Sequence, residues 1–157
     1  MQVLLATQAH VSDLARLRLA LLEETGGNLA TAERQEQLTL NEAFFRANLT
    51  SPNWTSWVAV FDDCVRAVGT LAYWLRPPYP GNPEGKDAYL LNMFTEPPYR
   101  GRGAATAILD LAIQAARERG VRKLILHATE AGRRRYLKAG FATSSAYMEL
   151  SLGSRDA

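Results

Sequence analysis

The chain has 157 residues, 47% of them hydrophobic and 22% charged, and a net charge of only +2; that is the size and balance of one globular domain, and residues 1–157 are read as a single domain with its own core. One cysteine, Cys64, excludes an internal disulfide, and with only His10 and His127 as further soft ligands no metal is expected. No window reaches the roughly 18 apolar residues of a membrane span, and residues 1–22 lack the basic start of a secretory leader, so a cytoplasmic protein without membrane contact is expected.

Residues 3–6 read as a short first strand. Ser12 can then cap a helix whose Leu14, Leu17 and Leu21 recur at helical spacing, and Gly26-Gly27 ends it. A second helix is expected after Thr31, carrying Leu38, Phe44, Phe45 and Leu49 until Ser51-Pro52 breaks it. Residues 57–61 and 65–74 are β-rich runs joined at Asp62-Asp63-Cys64 as a hairpin. Four prolines and two glycines make residues 77–85 a loop, and residues 88–95 resume as strand. Glu96-Pro97-Pro98 stops that strand. The spacing predicts a largely buried helix over residues 104–119, with Gly120 just past its end. A strand over 123–127, a short helix over 131–139 closed by Gly140, and a strand over 141–152 with a turn near Ser144-Ser145 complete the chain. The order describes a mixed α/β domain built around one sheet.

The segment Tyr99-Arg-Gly-Arg-Gly-Ala-Ala-Thr106 lies between a strand and a helix N-terminus. Free backbone N–H groups and the helix dipole make that junction a site for phosphate. Gly101 and Gly103 let the backbone curl with its N–H groups inward and leave no β-carbon in the way, while Arg100 and Arg102 add charge. The segment lacks the third glycine of a dinucleotide fingerprint, and the chain contains no nucleotide P-loop. Residues 1–99 carry seven basic against eleven acidic side chains, residues 100–138 ten against three. One part of the chain therefore suits an anion and the other a cation.

Arg100-Gly101-Arg102-Gly103-Ala104-Ala105 resembles the [R/Q]-x-x-G-x-[G/A] element of the GNAT (GCN5-related N-acetyltransferase) superfamily. The run Asn92 to Tyr99 resembles the strand and loop leading into it, and Leu126-His127-Ala128-Thr129 with Tyr136-Leu137-Lys138-Ala139-Gly140-Phe141 resembles the family's second half. The likeness is dense over residues 89–150 and rests on element order alone over the first 75. It implies the GNAT fold, a central, mostly antiparallel sheet with splayed fourth and fifth strands and flanking helices. It also implies direct attack of an amine on the thioester of acetyl-CoA. By the resemblance, Met93, Phe94 and Thr95 offer backbone groups to the pantetheine arm, with an N–H of Met93 or Phe94 polarising the thioester oxygen. Residues 100–105 hold the pyrophosphate, and Tyr136 protonates the departing thiolate, a task for a phenol of pKa about 10. Thr129 stands where many members carry asparagine and keeps fewer hydrogen-bonding groups for the coenzyme. Gly132 replaces a common alanine, which places it near a helix start or the coenzyme. Of the run Arg133 to Arg135, one or two side chains can reach the coenzyme, Arg133 among them.

The residue that takes the amine's proton is not evident. Asn92 occupies a catalytic position, but an amide orients substrate or water and cannot act as base. Glu23 and Glu24 close the first helix, where the dipole disfavours anions by roughly 0.3–1 kcal/mol, and could receive a cationic acceptor or simply be solvated. Trp74, with Trp54, Trp57, Tyr73 and Tyr79, can line an acceptor cleft, and residues 77–85 can wall it. The expected partners are acetyl-CoA and a small amine or peptide acceptor, with a homodimer through the last strands implied by the resemblance. Two rivals stand beside this reading. One is an inactive acyl-CoA-binding sensor; the other is a nucleic-acid-binding domain, which the small net charge and the lack of aromatic and basic interleaving disfavour.

Overall fold

The strands line up in space in the order in which the chain makes them. In the computed structural model, which describes residues 1–150, the sheet runs β1 (Gln2–Leu5), β2 (Trp54–Phe61), β3 (Cys64–Leu75), β4 (Lys86–Thr95), β5 (Lys123–Leu126). The first four pair antiparallel; β4 and β5 are parallel. Asp62 and Asp63 turn β2 into β3, both at positive φ (48° and 57°), the left-handed pair that matches a two-residue turn to strand twist. A parallel pair cannot be closed by a tight turn, and α3 (Ala104–Glu118) makes the crossover between β4 and β5.

Side chains alternate between the faces of the sheet. Val58, Val68 and Phe94 pack with Val11, Leu14 and Leu17 of α1 (Val11–Gly26) and with Phe45 of α2 (Thr31–Asn48). The opposite face takes α3, whose Ile108 and Leu109 are fully buried. The first helix does not start at a Ser12 cap. A 3₁₀ turn, Gln8–His10, precedes it, where the Thr7 N–H donates to His10 Nδ1 at 3.0 Å, so Ser12 falls inside the first helical turn. Phe44 of α2 is largely exposed and rests edge-on against Trp54, ring centroids 4.9 Å apart.

Gly85 closes the loop between β3 and β4. Its φ is +64°, and a β-carbon there would stand 1.9 Å from the Arg76 carbonyl oxygen. Gly85→Ala is therefore expected to cost about 3 kcal/mol or more, seen as a lower urea midpoint at unchanged m-value.

The described residues divide into two compact units, one ending at His127 and one beginning at Ala128. The second holds α4 (Glu130–Lys138). The strand expected over residues 141–152 does not form: residues 141–150 are irregular, with Met148 98% and Leu150 80% exposed, and residues 151 and 152 lie outside the described residues. β-propensity counts only where a face is buried and a ladder partner is present, and neither holds for residues 141–150. Among the described residues no helix is long and apolar enough to cross a membrane, and no cluster of three or more His, Cys, Asp or Glu could hold a metal ion.

Candidate active site

The site begins with a fault in β4. Val68 pairs with Phe94 and Thr70 with Leu91, so Asn92 and Met93 together oppose the single residue Gly69. That is a β-bulge. Asn92 takes a left-handed conformation there, φ 54°, which asparagine tolerates better than most side chains. Gly69 makes the fault possible, since a β-carbon on it would meet Met93 Sδ at 2.4 Å and Ile108 Cγ2 at 2.5 Å. A glycine inside a strand run was the sequence signal for this.

Just before the bulge, β4 loses its neighbour. The parallel ladder ends at Leu90 and Leu126, and β4 continues to Thr95 with no β5 partner for that stretch. Asn92 is only 4% exposed, yet neither atom of its amide has a hydrogen-bond partner among the described residues, and the buried Thr95 hydroxyl has none either. Buried polar groups left without a partner cost about 1–3 kcal/mol each and call for a water or a ligand to satisfy them. Phe94 turns its side chain into the α1 core, so only its backbone can serve a ligand; Met93 points towards Gly69 and α3.

Beyond β4, a short 3₁₀ turn, Pro97–Tyr99, leads into the loop before α3. Gly101 (φ 76°) and Gly103 (φ 89°) are both left-handed, and nothing stands within 4 Å of where their β-carbons would be. Gly103 is the N-cap and offers no side chain. The first backbone bond into α3 is from Ala107 N–H to the Gly103 carbonyl, so the N–H groups of Ala104, Ala105 and Thr106 have no acceptor among the described residues. The two arginines brace the loop: Arg100 Nε donates to the Thr95 carbonyl at 2.9 Å and its other end pairs with Glu24, while the Arg102 guanidinium lies 5.1 Å over the Tyr99 ring.

In the second unit Thr129 is the N-cap of α4, its Oγ1 accepting from the Gly132 N–H at 3.2 Å. Gly132 thus sits in the first turn, and a β-carbon on it would come within 2.9 Å of Tyr136 Cε2. Tyr136 is buried and meets Phe141 edge-on at 5.8 Å. Burial raises the pKa of its phenol, with Arg135 opposing weakly. Arg133 and Glu130 approach to 3.9 Å.

The other candidates for the acceptor fall in different places. Glu23 accepts from Arg34 Nε at 2.9 Å and Glu24 pairs with Arg100, so internal partners already answer both carboxylates. Trp74 lies at the far end of β3, lining a cavity of about 740 Å³ with Tyr73, Asp87 and Arg119.

The fold and this loop can be set against known proteins. A family model described as the acetyltransferase (GNAT) family matches residues 18–141. A predicted acetyltransferase from Clostridium acetobutylicum, whose crystal structure is with acetyl-CoA, is 30% identical, covers 96% of each chain and superposes with a TM-score of 0.84. A GCN5-related N-acetyltransferase from Ralstonia eutropha JMP134, at 24% identity over 97% of this chain and 99% of its own, shares the fold with a TM-score of 0.82. No curated protein matches significantly.

Proposed function

Because this chain belongs to the acetyltransferase (GNAT) family, we propose that it transfers an acetyl group from acetyl-CoA to an amine of a small molecule or peptide by direct attack, as a single cytoplasmic domain. Acyl transfer itself follows from the family. The observation that carries the finer reading is a glycine loop leading into three N–H groups of α3 without acceptors, beside a strand that outruns its neighbour and buries an Asn92 amide without a partner, both among the described residues.

Those features fit the coenzyme. Acetyl-CoA, when bound, supplies the acetyl group as a thioester. The N–H groups at the start of α3 hold its pyrophosphate, with the dipole of a 15-residue helix behind them. The backbone of Met93, Phe94 and Thr95, which lacks a β5 ladder, lies along the pantetheine arm, and an N–H of Met93 or Phe94 polarises the thioester oxygen. Asn92 orients the acceptor or a water. Thr129 and Arg133 lend contacts from α4. Tyr136 gives its phenolic proton to the departing thiolate. Burial holds its pKa above the ordinary phenol value, so the proton to be given is present at neutral pH.

The test is calorimetric binding of acetyl-CoA followed by thiol release over a mixed amine panel. Binding with release supports the proposal; binding without release from any amine would identify an acyl-CoA-binding domain instead. Tyr136→Phe is expected to lower kcat about 100-fold with coenzyme affinity unchanged. It also carries a stability signature. A folded-state pKa above the unfolded value means the stabilisation is full below the unfolded pKa of about 10 and is lost as pH rises through the folded one. Wild type should therefore lose stability relative to Tyr136→Phe only at strongly alkaline pH, as melting temperatures across pH 7–11 would report.

A further inference from the structure

The α1 side of the sheet carries a charge that no described residue answers. Val68 and Phe94 face α1 and Gly69 faces α3, so by alternation Thr70 and Ala72 face α1 with their partners Leu91 and Tyr89. There Arg18 of α1 lies half-buried, within electrostatic reach of Tyr89, and burial lowers its pKa from the usual value. Arg16, Arg34, Arg66, Arg76 and Arg100 of the same unit each hold a carboxylate. The Arg18 guanidinium has neither a hydrogen bond nor an ion pair among the described residues. A half-buried guanidinium without an anion is a cost to the fold that a bound carboxylate would remove.

Tyr89 is bound in turn. Its hydroxyl meets Nδ1 of His127, the residue directly after the last β5 position paired with β4. The phenol and imidazole therefore stand where the two strands part, on the same side as Arg18 and three residues before Asn92. A neutral imidazole nitrogen without its hydrogen accepts a proton.

We propose that Arg18 and the Tyr89–His127 pair form the acceptor subsite, and that the acceptor is an amine carrying a carboxylate, of the α-amino acid class. Arg18 presents a planar fork that takes the carboxylate through two parallel N–H donors. The acceptor's ammonium passes a proton to the Tyr89 oxygen as the Tyr89 proton moves to His127 Nδ1. The amine is left neutral with its lone pair free, the imidazole becomes imidazolium, and nothing is oxidised or reduced. The bound carboxylate also offsets the charge of Arg18, which would otherwise oppose a second positive charge on His127. The inference rests on the acetyl-CoA-dependent reading above and names its acceptor.

The experiment has two stages. Acetyl-CoA affinity is measured for wild type, Arg18→Gln, Arg18→Lys, Tyr89→Phe and His127→Gln; equal values are expected, because none of these side chains is assigned to the coenzyme. Thiol release is then compared for matched pairs of α-amino acids and their decarboxylated amines. Wild type should favour the amino acids in kcat/KM by roughly tenfold or more. Arg18→Gln should erase most of that preference through KM, and Arg18→Lys should restore part of it. Tyr89→Phe and His127→Gln should lower kcat about 100-fold with KM kept. A wild-type preference for the decarboxylated amines, a ratio unchanged in Arg18→Gln, or coenzyme binding lost in that variant would overturn the subsite while leaving acetyl transfer standing. Absence of coenzyme binding by wild type would overturn both.

Discussion

A Gly103→Glu variant is expected to bind acetyl-CoA at least about 100-fold more weakly than wild type while still folding. Three features combine. Gly103 is left-handed at φ 89°, so any L side chain there costs roughly 1–2 kcal/mol. The space around its missing β-carbon is open, so the new side chain meets no wall and the core behind the loop stays intact. The third is charge. A carboxylate at the N-cap of α3 can take the N–H groups of the first turn for itself, and it opposes an incoming pyrophosphate by several kcal/mol at contact distance near a protein surface. Gly103→Ala separates the two effects: it carries the backbone strain without the charge, and should lose about 1 kcal/mol of stability with most of the affinity kept. Calorimetry on both variants reads this directly. Wild-type affinity in Gly103→Glu would place the pyrophosphate somewhere other than this loop.

Arg76→Met should lower stability by about 2–3 kcal/mol in urea unfolding. Asp87, near the start of β4, is 1% exposed, and its Oδ2 lies 2.7 Å from Arg76 Nε. Asn82 Nδ2 donates to the other oxygen at 2.9 Å. Removing one partner of a buried pair typically costs 3–5 kcal/mol because the remaining charge is stranded. The expectation sits below that range because Arg76 is itself 37% exposed and Asn82 remains. Adding Asp87→Asn to Arg76→Met should recover most of the loss, since the stranded charge is then gone. A loss under about 0.5 kcal/mol would mean that solvent reaches Asp87 and the pair is only a surface contact.

Much of this architecture could be read from residue order. Strong periodicity and glycine punctuation located the strands and helices through β5, and the glycines at 101 and 103 marked the loop because left-handed turns before a helix have few other solutions. Other features were hidden because they depend on partners distant in sequence. The cap of α1 moved upstream because Thr7 and His10 form a local turn that spacing alone does not reveal. Residues 141–150 have strand-like composition, but composition cannot supply a ladder. The left-handed Asn92 follows from how β3 and β4 register around Gly69, which is a property of the pair and not of either strand. The ion pairs of Glu23 and Glu24 were hidden as well, because their arginine partners lie 11 and 76 positions away. Arg18 is the opposite case, since its lack of a side-chain partner among the described residues is visible only once the surroundings are in place.

Gly132 and Tyr136 share one small volume: the ring at 136 lies where a methyl group at 132 would go. The two positions should therefore not vary freely. Among related chains, alanine at 132 should accompany a rotated or smaller residue at 136, and a double-mutant cycle on Gly132→Ala and Tyr136→Leu should give a combined loss smaller than the sum. Any effort to raise stability by substituting a helical glycine with alanine, ordinarily a gain of about 0.4–1 kcal/mol, would at this one position displace the proposed proton donor instead.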